Sequence, residues 1–420
     1  MMPDLGSLWR DSAAETFSAP PVSGDLSCDL LVIGGGFTGC AAALSAATGG
    51  SDVILLEADT IGQGASGRNV GLVNAGLWLP PDTVCETLGE AAGERLNQRL
   101  AAAPDLVFDL VSQYDIACEP RRTGTLHLAH APRGLAQLQA RQAQMVRRDA
   151  PVTLLDAAQT QTRTGTSAFH GALHDARAGT VQPLAYVRGL ARAARSLGAQ
   201  LFEHSPATSL TRQADHWIIR SNDATLRART LLVATNAYHR PVTHMSLPHV
   251  PKVNYFQLST APLGNNISRD ILPGGEGCWD TGLIMTSLRR DAAGRVILGG
   301  MGDDTGVQAG WARRKLAQLF PQLADAEITH HWAGQISMTS DHLPRILRIG
   351  PDALAIFGYS GRGIAPGTAF GQAAAQALLS GDESDLPVQP VDGHAEMLPG
   401  LKTAFYETGA RLVHLVSARR

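Results

Sequence analysis

Asp29-Leu30-Leu31-Val32-Ile33-Gly34-Gly35-Gly36-Phe37-Thr38-Gly39-Cys40-Ala41-Ala42-Ala43 decides how this chain is read. The run from Leu30 to Ile33 is apolar without alternation, the pattern of a parallel strand buried on both faces. It enters Gly34-x-Gly36-x-x-Gly39, and the alanine-rich segment from Phe37 to Ala47 is helical in character. Gly34 permits the tight turn, Gly36 lets a pyrophosphate approach the backbone, and Gly39 lets the helix pack closely on its strand. The N–H groups of the helix start then meet a diphosphate at the positive end of the helix dipole. A second apolar strand, Val53 to Leu56, ends in Glu57, about twenty residues beyond the glycines, where a carboxylate accepts from ribose hydroxyls and repels a 2′-phosphate. The alternative for Glu57 is a solvated strand-end residue. Read by spacing, this is a site for an adenine dinucleotide with a plain ribose, either NAD or FAD.

Outward from that stretch, 420 residues exceed one ordinary core and imply two domains. Apolar content of 44% with 17% charged residues is that of a globular chain rather than a disordered one. A net charge of −3 gives no reason to expect nucleic acid or an anionic membrane as partner. Met1 to Pro21 lacks the apolar core of a secretory signal, and no run approaches the roughly twenty apolar residues of an integral membrane segment. Cys28, Cys40, Cys85, Cys118 and Cys278 have neither metal-site nor disulfide-framework spacing, so a cytoplasmic setting with reduced thiols is expected.

Residues 1–24 read as an N-terminal arm, extended and broken by Pro20-Pro21 and Ser23-Gly24. After Glu57 comes Gly62-Gln63-Gly64-Ala65-Ser66-Gly67-Arg68-Asn69, a cluster of small donors placed to wrap a cofactor, with Arg68 available to neutralise phosphate. Val84 to Arg148 is helical, interrupted by strand-like residues around Thr125 to Leu128; Arg141, Arg147 and Arg148 read as a solvated helix face. A helix from Pro183 to Leu197, a strand near Gln200, a hairpin (Trp217 to Arg220, Leu226 to Arg229) and a buried strand from Thr230 return the chain to the first sheet. From Pro241 to His331 the period drifts towards two, as in an antiparallel sheet. Ala353 to Gly358 is one more buried strand. Tyr359-Ser360-Gly361-Arg362-Gly363-Ile364 leads from it into an alanine-rich helix, a second glycine-rich helix start. His170 and His174 are spaced like metal ligands on a helix, but Gly171 argues against a helix there, and no metal is expected. His330-His331 reads as structural.

Taken together these landmarks resemble FAD-dependent oxidoreductases of the D-amino acid oxidase (DAO) class, which includes glycine and sarcosine oxidases. The matching pieces are Val32 to Gly39, Leu56-Glu57-Ala58, Gly64 to Asn69, Gly179 to Pro183, Val233 to Ala237, Gly294 to Gly300, Trp332-x-Gly334, Thr339-x-Asp341-x-x-Pro344 and Gly358 to Gly367. The Gly-Ala-Ser-Gly-Arg-Asn motif is closest to the γ-glutamylputrescine oxidase-like branch. The resemblance implies an α/β fold (α+β overall) with a Rossmann-like FAD-binding domain and a second, mostly antiparallel β substrate-binding domain. The first would comprise residues 25–85, 150–240 and 332–385, the second 86–149 and 241–331, with 386–420 a C-terminal tail. It also implies that Gly34, Gly36, Phe37, Thr38 and Gly39 hold the pyrophosphate and Glu57 the ribose. Ser66, Arg68 and Asn69 would lie along the pyrophosphate and flavin, Ala207 beside the adenine, and Thr235 and Asn236 would close over the cofactor. Gly361, Arg362, Gly363 and Ile364 would meet the pyrimidine side of the flavin, where a helix start stabilises the negative charge of reduction.

The implied reaction is hydride transfer from the carbon beside an amine nitrogen to flavin N5, giving an imine that hydrolyses. Alignment, rather than a strong base, is what the protein must supply. For an amino-acid substrate Arg289 is the implied carboxylate clamp, with Arg290 pointing the other way; Tyr255 and Tyr359 are further pocket candidates. Two departures accompany the resemblance. Sarcosine oxidases carry a lysine, which helps oxygen accept electrons, where this chain has Ile297, so oxygen and another electron acceptor both stay open. No cysteine follows Cys278, so non-covalent FAD is expected. Against this stand an FAD-carrying dehydrogenase or electron-relay subunit of a heteromeric amino-acid dehydrogenase and an NAD-dependent dehydrogenase. The latter leaves Gly361 to Gly367 unused. A tRNA-modifying flavoenzyme would need a basic, aromatic-interleaved surface, and none is visible.

Overall fold

The strand Leu26–Ile33 lies inside an eight-stranded sheet in the computed structural model, which describes residues 6–282, 285–302 and 306–403. It runs parallel to Val53–Leu56 on one side and Ala224–Val233 on the other. Leu30 to Ile33 are all buried, which is why no polar residue alternates with them. Ile33 pairs with both Leu56 and Val233, so three strands end at one level and open a crevice beyond their carboxyl ends. Gln200–Phe202 and Ala353–Phe357 extend the sheet in parallel. The expected hairpin strand and the expected buried strand after it are one element, Ala224–Val233. Its first half pairs with His216–Ser221 and its second half with Ala353–Phe357. The helix Phe37–Thr48 packs between Ile364–Ser380 and Pro183–Ser196.

The second sheet also has eight strands, in the order Ile328–Ser337, Lys252–Thr260, Val296–Met301, Thr286–Arg290, Gly277–Asp280, Thr125–Leu128, Ala172–Asp175 and Val152–Leu155. All neighbours are antiparallel except Gly277–Asp280 beside Thr125–Leu128. Phe256 and Leu258 enter an apolar core with Leu288 and Trp311, contributed partly by the helix Gly306–Leu319, which the period-two reading does not anticipate. Tyr255 and Gln257 face the other way.

Three expected domain boundaries fall elsewhere. Val152–Leu155 and Ala172–Asp175, expected in the first domain, complete the second sheet because their hydrogen bonds run to Thr125–Leu128 and to each other. Ile328–Ser337 crosses the boundary expected at 332. The long helix Glu90–Gln113, expected in the second domain, buries Leu96, Leu100 and Val107 in the core of the first. The arm is more than an extended lead-in, since Leu8–Ser12 is helical with Leu8 and Trp9 wholly buried. The tail is described only to residue 403, and 404–420 lies outside the described residues. Of Arg141, Arg147 and Arg148, read as a solvated helix face, only Arg147 is exposed. Arg141 donates to the carbonyls of Leu77, Trp78 and Leu79, while Arg147 and Arg148 pair with Asp82, and Arg148 also with Glu94.

Candidate active site

One cavity runs from the crevice of the first sheet to the exposed face of the second. Its first end is lined by Gly34, Gly36, Phe37, Thr38, Glu57, Ser66, Asn69, Ala207, Thr235 and Asn236. Gly34 has φ +111°, and a Cβ there would fall 2.9 Å from the Ala234 carbonyl oxygen, so the turn tolerates only glycine. Gly39 does not line the cavity. It lies against the strand, where a Cβ would meet the Gly34 oxygen at 1.9 Å. Ser66 Oγ accepts from the Phe37 N–H at 3.0 Å, which brings the second glycine-rich loop onto the start of the dinucleotide helix. Glu57 accepts from the N–H groups of Gly35 (2.7 Å) and Asp59 (2.9 Å). Burial pushes its carboxyl up and these two bonds oppose the shift, leaving an oriented acceptor at the cavity wall.

The middle of the cavity is bounded by Gly361, Arg362, Gly363 and Ile364. The helix Ile364–Ser380 starts here with Gly363 as its cap and no side chain on its first N–H groups. These features fit FAD: a bare glycine turn, an oriented carboxylate at the end of the neighbouring strand, and an uncapped helix start further along one continuous cavity. Each cofactor position implied by the resemblance lines that cavity except Gly39 and Arg68. Arg68 is turned away, donating to the carbonyls of Gln63 (2.8 Å) and Ala333 (3.0 Å), so it fastens the loop to the second sheet instead of meeting phosphate. Asn69 lines the cavity but spends its amide on the carbonyls of Ala65 and Ser66, and its oxygen on the Gly71 N–H. The five cysteines are buried, and none lines the cavity.

The far end is lined by Trp78, Tyr255, Gln257, Trp279, Met285, Ser287, Gly300 and Met301. Tyr255 Oη and Gln257 Oε1 are buried without partners among the described residues. Each lies over a glycine on a neighbouring strand, Tyr255 over Gly334 and Gln257 over Gly299, where any side chain would collide. Those glycines stand in the sequence motifs quoted above, and the space they leave explains them. Gln257 was missed because its signal, Gly299 directly opposite, is visible only once the register is known.

Arg289 does not reach this cavity. Alternation sets it on the same side as Ser287, but two residues further along the strand. Its Nη1 donates to the carbonyls of Val181 (2.6 Å) and Val70 (3.3 Å), and its guanidinium packs on Trp9 at 5.3 Å. Arg290 does point the other way, to the Leu272 carbonyl. Tyr359 borders the cavity with its hydroxyl bonded to Thr38 Oγ1 at 2.8 Å, so it is a packing residue. The cation that does enter is Arg362, which lies 4.3 Å from the Trp279 ring and forms no ion pair among the described residues. Burial, reinforced by Arg141, pushes it down to about 9. On the opposite side Trp279 stacks on His127, with ring centroids 3.4 Å apart. His174 bonds the Thr123 carbonyl from a strand, and His330 meets Asp11.

Burial, then the charges of Arg141 and Arg362, hold His127 well below its ordinary value, so it is neutral in the fold. The unfolded chain binds a proton at this residue below about pH 6.5 and the folded chain does not. Stability should therefore drop as pH falls below about 6.5. His127→Phe, which keeps a ring beneath Trp279, should remove that share of the slope in urea unfolding followed from pH 8 to 5.

A two-domain α/β protein with a dinucleotide crevice running under an antiparallel sheet defines a class of cofactor-dependent oxidoreductases. Residues 29–377 match the family model of FAD-dependent oxidoreductases (DAO), and the chain belongs to that family. It is an FAD-dependent oxidoreductase. It is 31% identical to a probable oxidoreductase OrdL of Rhizobium meliloti over 87% of each chain. It is 27% identical to the γ-glutamylputrescine oxidoreductase of Escherichia coli, over 98% of this chain and 100% of that one. The fold is similar to that of glycine oxidase from Geobacillus kaustophilus, with a TM-score of 0.70 at 20% identity over 86% of this chain and 96% of the other. No helix among the described residues is long and apolar enough to cross a membrane.

Proposed function

We propose that the protein oxidises the CH–NH bond of an amine that also carries a carboxylate, an amino acid or an N-substituted one. The observation that carries this reading is the pairing of opposite unmet needs at the far end of the cavity. Among the described residues Arg362 is a buried cation with no ion-paired carboxylate, and Tyr255 Oη and Gln257 Oε1 are buried without hydrogen-bond partners. A buried unpaired charge is costly, and a ligand anion relieves it. The N–H of an amine supplies what the oxygens lack. Trp279 lies against the guanidinium and is itself backed by Trp78, an apolar wall that excludes water, and no strong base is needed if the amine enters neutral. Bound FAD supplies the acceptor for the hydride. The substrate gives up that hydride and a nitrogen-bound proton; water then adds to the C=N bond and releases a carbonyl compound and an amine or ammonia.

The names of two similar proteins, glycine oxidase and γ-glutamylputrescine oxidoreductase, support an amine-bearing substrate. Gly361, Gly363 and Ile364 would meet the flavin ring through their backbone while the Arg362 side chain extends to the substrate. The cofactor would be held without a covalent bond, so acid precipitation should leave all the flavin in the supernatant. A cytoplasmic setting belongs to the same reading, with oxygen or another electron acceptor taking up the electrons. In anaerobic mixing with amines and amino acids, the flavin absorbance near 450 nm should bleach with carboxylate-bearing amines and recover when air is admitted. Bleaching without recovery would assign a dehydrogenase with another acceptor. No bleaching by any amine would favour an electron-relay subunit.

A further inference from the structure

We propose that the N-terminal helix Leu8–Ser12 is a latch on the cofactor loop, with Trp9 as the positioning residue that governs how long FAD is retained. The helix precedes residue 29, where the match to the family model begins, so nothing in the family resemblance assigns it a task. Trp9 is wholly buried and its Nε1 donates to the Asn69 carbonyl at 2.7 Å. Asn69 in turn ties the carbonyls of Ala65 and Ser66, and Ser66 Oγ sits on the first N–H of the dinucleotide helix. Arg10 holds Gln63 in the same loop. Trp332, packed edge-on against Trp9 at 5.8 Å, donates to the neighbouring Arg68 carbonyl at 2.8 Å.

The latch is anchored at its own end as well. Gln182 Nε2 donates to the Trp9 carbonyl at 2.8 Å. Glu15 accepts from Arg192 and from the Ala117 N–H, fastening the arm to the first domain. The ring of Trp9 also covers Arg289, whose Nε and Nη2 have no partner among the described residues. Residues 63–69 are thus held by two indole N–H groups, one from the N-terminal helix and one from the strand Ile328–Ser337. A loop that must open to release FAD has to break the Trp9 bond first.

The test compares FAD release from the holoenzyme, followed as the rise of flavin fluorescence on dilution. Trp9→Phe keeps the ring and removes the N–H. It should speed release about five- to tenfold, the equivalent of one ordinary hydrogen bond. Phe17→Leu loosens the same arm at a point remote from the loop, where Phe17 packs under Arg195. It should lower thermal stability without altering FAD release. Wild-type release by Trp9→Phe, or equal acceleration by Phe17→Leu, overturns the proposal. Linkage supplies a check that does not depend on a variant's folding: FAD binding must slow hydrogen exchange at the amides of residues 8–12 in the wild-type chain. Unchanged exchange there sinks the latch.

Discussion

Gly39→Ala should yield a protein that holds no FAD and has lost about 3 kcal/mol or more of stability. The added Cβ would lie 1.9 Å from the Gly34 oxygen and 3.2 Å from Val32 Cγ1. Neither can yield cheaply, because Gly34 is itself wedged against Ala234 at the carboxyl end of the strand. The dinucleotide helix cannot retreat on its other side either. Gly371 of Ile364–Ser380 approaches it so closely that a Cβ there would meet the Thr38 oxygen at 2.2 Å. The helix meets its strand on one side and Ile364–Ser380 on the other through bare backbone, so one methyl group must push the pyrophosphate turn out of place. Absorbance of the purified protein near 450 nm and urea unfolding of the flavin-free form measure the two effects. Gly363→Ala is the control: a Cβ there meets nothing within 4 Å, and the flavin-free form should unfold like wild type. A Gly39→Ala protein that binds FAD stoichiometrically and unfolds at the wild-type urea concentration would refute the packing role.

The opening stretch was legible because everything that decides it is local. Strand, turn and helix follow one another within about fifteen residues, and each states its requirement in its own residue types. Glu57 was legible for the same reason. What the sequence concealed depends on register and on distant contacts. Trp9 sits in a pair of apolar residues too short to show a period, and its partners lie at Asn69, Gln182, Arg289 and Trp332. Strand alternation predicted the side on which Arg289 stands but not its reach, and two residues along the strand were enough to carry it out of the cavity. Val152–Leu155 and Ala172–Asp175 carry no strand signal that the sequence reading picked up, and pairing alone put them in the second sheet.

Exchanging the expected clamp for the proposed one leads to the second large effect. Arg362→Met should lower kcat/KM for an amino-acid substrate about a hundredfold or more, because a desolvated charge pair is worth roughly 2–5 kcal/mol to the ligand that completes it. The same substitution should leave the flavin-free protein as stable as wild type or slightly more so, since it removes a buried cation that is repelled by Arg141 and has no ion pair among the described residues. Against an amine without a carboxylate the loss should be small, and the ratio of the two substrates isolates the clamp from general damage. Arg289→Met should behave in the opposite manner. It breaks bonds to the Val70 and Val181 carbonyls and uncovers Trp9, so stability and FAD retention should fall while the preference for a carboxylate persists. Steady-state kinetics with one carboxylated and one plain amine, run on both variants, separate these outcomes. Selective loss of the amino acid in Arg289→Met, with Arg362→Met unaffected, would return the role to the strand arginine and would require it to swing into the cavity when substrate binds.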